Sequence, residues 1–233
     1  MGAALGWGAL AASSLVAGAV LGLARSWPDR MIGVVLAFGA GALISAVSFD
    51  LAQEGARVGS AGAVGLGLGL GAVTYYLLDR AVERHAGGKS DAGAALAIGA
   101  FLDGIPEQLV LGIGLAAGDG VSVGLLAAIF VSNLPEAIGS STDMRAAGRS
   151  PRQITRLWVA VAVICTLASV GGYAIADTAS GDLQATIDGF AAGALLVMLI
   201  DSMIPEAVAK GGRIAGLVTV LGFAVAAGLS GIS

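Results

Sequence analysis

The stretch AGAALAIGAFLDGIPEQLVLGIGLA, Ala92 to Ala116, is an apolar run whose only ionisable groups are Asp103 and Glu107, with Pro106 directly before the glutamate. About 20 such residues suffice for a helix to cross the hydrocarbon core of a bilayer. A proline inside that helix removes one backbone hydrogen bond and frees the carbonyl of Leu102, and the next residue adds a carboxylate. The same dipeptide recurs in apolar runs at Pro135-Glu136 and Pro205-Glu206, where it frees the carbonyls of Val131 and Asp201. In lipid this combination is tolerated only along a protein-enclosed or watery path. The pattern therefore predicts a cation site inside a helical membrane protein.

Composition points the same way. The 233 residues are 57% hydrophobic and 12% charged, against about 25% charged in soluble domains. The 38 glycines and abundant alanines suit helices that approach closely in a membrane. Strand alternation is absent, which excludes a β-barrel. Nothing in the sequence suggests nucleic-acid binding. The single cysteine, Cys165, excludes an internal disulfide or a thiolate metal cluster and reads as packing.

At this length per span the chain divides into eight: Ala3–Ala24, Met31–Gln53, Ser60–Leu78, Ala92–Ala116, Val121–Met144, Ile154–Ala176, Leu183–Val208 and Ile214–Ile232. The first has no basic residue before it and is longer than a signal-peptide core, so it is expected to be retained. Arg25, Arg30, Arg80, Arg84, Lys89, Arg145, Arg149, Arg152, Arg156, Lys210 and Arg213 all fall at odd-numbered loops, and only Arg57 falls on the other side. The positive-inside rule puts the odd loops in the cytoplasm and both termini outside. The expected class is all-α, one multi-pass domain over residues 1–233 in the cell membrane.

An internal repeat appears when span two is slid onto span seven without a gap. At an offset of 152 residues Phe38, Ala40, Gly41, Ala42, Leu43, Glu54 and Gly59 meet Phe190, Ala192, Gly193, Ala194, Leu195, Glu206 and Gly211. Spans two and seven run in opposite directions. The expected architecture is 3+2+3, with spans one to three mirrored by six to eight around spans four and five.

Four of the five glutamates, Glu54, Glu107, Glu136 and Glu206, lie within or at the edge of spans. Each charge at a helix centre costs about 2.5–3.5 kcal/mol on insertion scales. Asp103 and Glu107 are one turn apart on one face, and Ser132 and Glu136 repeat that spacing with Asn133 between them. With no histidine or thiolate there, these groups offer oxygen donors to a divalent ion. Asp50 and Glu54 lie toward the outer end of span two and are expected to admit a cation. Asp201, Ser202 and Glu206, toward the inner end of span seven, are expected to release it.

Other features have plainer readings. His85 reads as a solvated loop residue, and Gly65, Gly67, Gly69 and Gly71 as helix packing rather than a nucleotide loop. Trp7, Trp27 and Trp158 lie near span ends, where interfacial anchoring is the default.

These motifs resemble the ZIP (Zrt/Irt-like protein) family of divalent metal transporters over nearly the whole chain. The family's span-four signature His-Asn-x-Pro-Glu-Gly stands here as Asp103-Gly104-Ile105-Pro106-Glu107-Gln108. Its span-five motif stands as Ser132-Asn133-Leu134-Pro135-Glu136-Ala137, and Ala191 to Ala207 resembles span seven. The resemblance implies metal ligands at Asp103, Glu107, Ser132, Asn133 and Glu136, while Gly104 contributes none. Span six lacks the glutamate that completes a second site in some members, so a single site is expected. Zn²⁺ leads by resemblance, with Fe²⁺ and Mn²⁺ behind. The carboxylate in place of imidazole suits harder ions such as Mn²⁺, Mg²⁺ or Ca²⁺. The expected function is transport of the ion toward the cytoplasm, not catalysis, with lipid and the ion as partners and a homodimer compatible with it. Rivals are a transport-inactive sensor or scaffold, a carrier of another cation, and an intramembrane aspartyl hydrolase using Asp103 and Asp201.

Overall fold

The computed structural model describes residues 1–86, 92–116 and 123–230. Among them the regular structure is entirely helical: α1 (Gly2–Ala24), α2 (Asp29–Ala46), a π-helical segment (Val47–Gln53), α3 (Glu54–Val58), α4 (Ala61–Ala86), α5 (Ala92–Ala116), α6 (Val123–Ala146), α7 (Pro151–Thr178), α8 (Asp182–Met198), a second π-helical segment (Leu199–Met203), α9 (Ile204–Gly211), a 3₁₀ turn (Gly212–Ile214) and α10 (Ala215–Ser230). Six stretches are long and apolar enough to cross a membrane: Gly2–Ala24, Asp29–Val58, Ala61–Val82, Val123–Ala146, Pro151–Ala176 and Asp182–Leu229. The last has 48 residues, about 72 Å at about 1.5 Å per residue, more than twice a hydrocarbon core of about 30 Å. It is broken at Gly212, whose φ of 69° is a conformation glycine adopts without a Cβ penalty.

Some boundaries differ from those read in the sequence. Helix α7 begins before Ile154, because Ser150 caps it. The Gln153 N–H donates to Ser150 Oγ at 3.3 Å and the Ser150 N–H donates to Gln153 Oε1 at 3.0 Å, with Pro151 in the first turn. Helix α4 continues to Ala86, so Arg84 and His85 are helical rather than in a loop. The turn expected at Gly118–Val121 lies outside the described residues.

Small residues set the packing. Helix α1 buries Ala4, Gly8, Ala11, Leu15, Gly18 and Gly22, a stripe with alternating steps of three and four. Along it, Gly18 and Gly22 meet the carbonyls of Leu134 and Ile138 on α6. Helix α4 lies along α8, with Gly67 against the Thr186 carbonyl and Gly71 against that of Phe190. Helix α10 lies along α2, with Gly222 against the Phe38 carbonyl and Gly41 against that of Thr219. A Cβ at any of these positions would collide with backbone. Gly65 and Gly69 face open space, so the packing role holds for Gly67 and Gly71 alone.

The chain makes several of these contacts twice, at the offset of 152 residues seen between α2 and α8 and at 151 residues between α4 and α10. Gly71 meets Phe190 as Gly222 meets Phe38, and Gly193 meets Leu68 as Gly41 meets Thr219. Likewise Gly59 meets Ala185 as Gly211 meets Gly33. The π-helical segments also begin at equivalent positions, Val47 and Leu199. Proline does not cause the wider turn, because the first copy has Gln53 where the second has Pro205. Interior-helix prolines occur at Pro106 and Pro135. Pro205 lies just after the second π-helical segment, and Met203 and Ile204 before it are helical, so it too lies inside a continuous helix.

Trp158 is also corrected. It is 1% exposed and packed with Ala12, Leu15, Ala19, Ala137 and Met144, not at an interface, because alanines on α1 and α6 leave room for one large ring. Trp27 donates its indole N–H to the Leu21 carbonyl at 3.0 Å, and Trp7 is exposed. Cys165 is buried and free, as a packing residue should be. Leu66, Leu70, Val73 and Leu77 form an exposed apolar stripe on α4, a surface that hydrocarbon solvates and water does not.

Candidate cation path

Helices α5 and α6 each carry an interior proline followed by glutamate, and their polar groups meet across the helix pair. The Ser132 hydroxyl donates to Glu107 Oε1 at 3.0 Å. Glu107, Ser132 and Asn133 are all buried, and Glu136, one turn beyond Ser132, is half-buried. Gly39 brings α2 against this point, since a Cβ there would lie 3.0 Å from Ser132 Cα. Gly104 does the same for α7, since its Cβ would lie 2.8 Å from Cys165 Sγ. Any side chain at position 104 would therefore displace Cys165. Cys165 is in turn within electrostatic range of both Glu107 and Glu136. Four helices thus enclose two carboxylates and two neutral polar groups. A carboxylate held in so dry a place costs several kcal/mol as an ion unless it takes a proton or a counter-charge accompanies it.

Asn133 Nδ2 and both amide atoms of Gln108 have no hydrogen-bond partner among the described residues, although Gln108 is wholly buried. Gln108 shares a helix face with Gly104 and Gly112, both of which contact α7. Sequence reasoning noticed Gln108 only as a departure from a motif; an amide in an apolar span was the signal. The side chain of Asp103 lies outside the described residues. Among the described residues no three His, Cys, Asp or Glu side chains form a ready metal-binding group.

Asp50 and Glu54, expected together, do line one cavity of about 300 Å³ at the α3 end of the bundle, with Arg57, Gln184 and Asp188 among its walls. Arg57 holds Glu54 in a two-pronged contact, Nε to Oε2 at 2.7 Å and Nη2 to Oε1 at 2.6 Å. Asp188, which the sequence reading passed over inside span seven, is buried there. At the same end, the Ser60 N–H donates to Asp182 Oδ1 at 2.7 Å, tying the start of α4 to that of α8.

Glu206 and Asp201, also expected together, are separated. Glu206 accepts from Lys210 Nζ at 2.6 Å, and the pair lies against α6 at Gly139, whose Cβ would be 3.2 Å from that nitrogen. Gly139 is three residues past Glu136, roughly 4.5 Å along the helix. Asp201 is exposed instead, in a shallow groove with Tyr76, Val73 and Ile200. Ser202 is half-buried on the same π-helical segment. Asp201 and Glu206, five residues apart on the chain, end in different surroundings.

Several basic groups gather at the Lys210 end. Arg145 donates to the Leu23 carbonyl, which brings it beside Arg25, and Gly33 touches Gly211. The chain matches no known family model, and it matches no curated protein.

Proposed function

We propose that this chain is a polytopic membrane transporter of ZIP-like type that carries a divalent metal ion toward the cytoplasm between α5 and α6. The observation that carries the reading is the buried Ser132–Glu107 contact beside Glu136 and Asn133, on two proline-interrupted helices. The carboxylates supply charge, the serine and asparagine supply neutral oxygen, and the substrate ion supplies the balancing positive charge. Zn²⁺ leads, with Mn²⁺ and Fe²⁺ next and Mg²⁺ a further oxygen-seeking substrate.

The proposal includes eight crossings in a 3+2+3 inverted repeat. Its support is the 48-residue stretch broken at Gly212, the helical span α5, and the doubled glycine contacts with their matching π-helical segments. The basic end is placed in the cytoplasm. Because Cys165 is the lone cysteine and is buried, introduced cysteines report sidedness cleanly. In intact cells an impermeant thiol reagent is expected to label Ser60→Cys and to leave Ser150→Cys unmodified. The opposite pattern rejects the orientation.

In this scheme ions enter past Asp50 and Glu54, pause at Glu107 and Glu136, and leave beside Glu206. Lys210 is a tethered competitor for Glu206, so its removal should leave the exit carboxylate free to retain the ion. Lys210→Met is expected to lower maximal uptake several-fold and to lower KM. Stability should hardly change, since an i,i+4 pair at this exposure is worth only about 0.3–0.5 kcal/mol. Unchanged uptake kinetics would remove Lys210 from the path. The reading as a whole is tested by metal uptake into sealed vesicles containing purified protein. Saturable uptake of one divalent ion supports it; saturable binding without uptake replaces the transporter with a sensor or scaffold.

A further inference from the structure

Asp188 is 2% exposed, and its two oxygens differ. Oδ1 accepts from Gln184 Nε2 at 3.0 Å, whereas Oδ2 is buried with no partner among the described residues. Gly55 on α3 makes room for it, since a Cβ there would lie 3.2 Å from Asp188 Cβ. The residue lines the cavity that also holds Asp50, Glu54 and Arg57. A buried carboxylate oxygen without a donor is costly, and neither packing nor helix capping explains an aspartate at this point in α8.

The cavity's charge and size suit one class of ligand. Three carboxylates and one guanidinium leave two net negative charges when all are ionised, and Arg57 is already committed to Glu54. At about 30 Å³ per water, a volume of about 300 Å³ holds on the order of ten waters, enough for a small cation with most of its hydration shell. The absence of a ready three-carboxylate cage among the described residues argues against a stripped ion. It is compatible with a hard divalent cation that keeps several waters and takes one or two protein oxygens.

We propose that Asp188 anchors a second, outer site at which a partly hydrated divalent cation waits before it loses water and moves to Glu107 and Glu136. The Asp188 carboxylate is the direct ligand, and Asp50 and Glu54 act through water. Gln184 fixes the carboxylate's orientation. The waiting role rests on the transport reading above; the binding itself does not.

The test uses full-length protein in lipid nanodiscs with Mn²⁺ as probe, read by electron paramagnetic resonance, and vesicle uptake in parallel. Wild type is expected to bind two Mn²⁺ per chain. Asp188→Asn should lose one of them, with at least tenfold weaker affinity at that site, and Asp188→Glu should restore part of it. Glu107→Gln/Glu136→Gln should lose the other and keep the Asp188-dependent ion. In uptake, Asp188→Asn should raise KM about tenfold with maximal rate within twofold. If Asp188→Asn binds Mn²⁺ with wild-type stoichiometry and affinity, or if wild type lacks the Asp188-dependent ion, the outer site is overturned. If wild type transports nothing yet loses one Mn²⁺ on Asp188→Asn, the transport reading falls and the site stands. A uniform loss of both ions in Asp188→Asn and Asp188→Glu alike would mark a folding role and also overturn the proposal.

Discussion

Replacing Glu107 and Glu136 together by glutamine is expected to reduce divalent-metal uptake at least ~100-fold while the protein stays folded and monodisperse. The amide keeps the size of the side chain and can still accept from Ser132, so packing at the crossing of α5, α6 and α2 is preserved. What disappears is charge. A divalent ion entering this dry region gives up most of its hydration, and only negative ligands in a low-dielectric setting compensate for that. A hundredfold loss corresponds to about 2.8 kcal/mol at 1.4 kcal/mol per decade, a modest demand for two carboxylates that are buried and half-buried. Folding could even improve, because two ionisable groups would no longer be held away from water. Uptake by the double variant equal to wild type would remove this pair as the site. Equal uptake with retained Mn²⁺ binding would place the path elsewhere in the bundle.

Gly71→Leu and Gly222→Leu are each expected to abolish recovery of monodisperse protein, and to do so to the same degree. Gly71 lies against the Phe190 carbonyl and Gly222 against the Phe38 carbonyl. Overpacking against side chains costs about 1–3 kcal/mol because those side chains can move. Here the obstacle is helix backbone, which cannot shift without separating α4 from α8, or α10 from α2. Gly69→Leu is the control, since nothing lies within 4 Å of that position and an added apolar side chain there faces outward. Equal tolerance of all three substitutions, judged by size-exclusion profile and thermal melt in one detergent, would show that the glycine contacts do not hold these helices together. Damage by Gly71→Leu alone would break the equivalence of the two halves.

Much of the helical arrangement was legible because its signals are local. Apolar run length depends on composition, and the placement of Arg and Lys in loops is read one loop at a time. The repeat was legible in the same way, since Phe38 and Phe190 or Gly41 and Gly193 lie at one fixed offset. The pairing of Ser132 with Glu107 was also within reach, because helical spacing and a short connection bring consecutive spans together. Other features were not. Trp158 reads as a span-end aromatic, yet its burial depends on alanines from α1 and α6. Asp201 and Glu206 belong to one short stretch of helix, yet Asp201 faces a shallow groove with Tyr76 while Glu206 meets Lys210 against α6. Asp188 was overlooked because no motif marks it.

By itself the sequence determined the helical class, the apolar spans, the doubled halves and the pairs of proline and glutamate, since each follows from residue type and spacing along the chain. Tertiary structure alone decided which carboxylates share an enclosed space, that Arg57 and Lys210 pair with glutamates at opposite ends of the bundle, and that Asp188 joins Asp50 and Glu54. Those outcomes depend on how closely glycines let distant helices approach, which is a property of packed backbones rather than of any local run of residues.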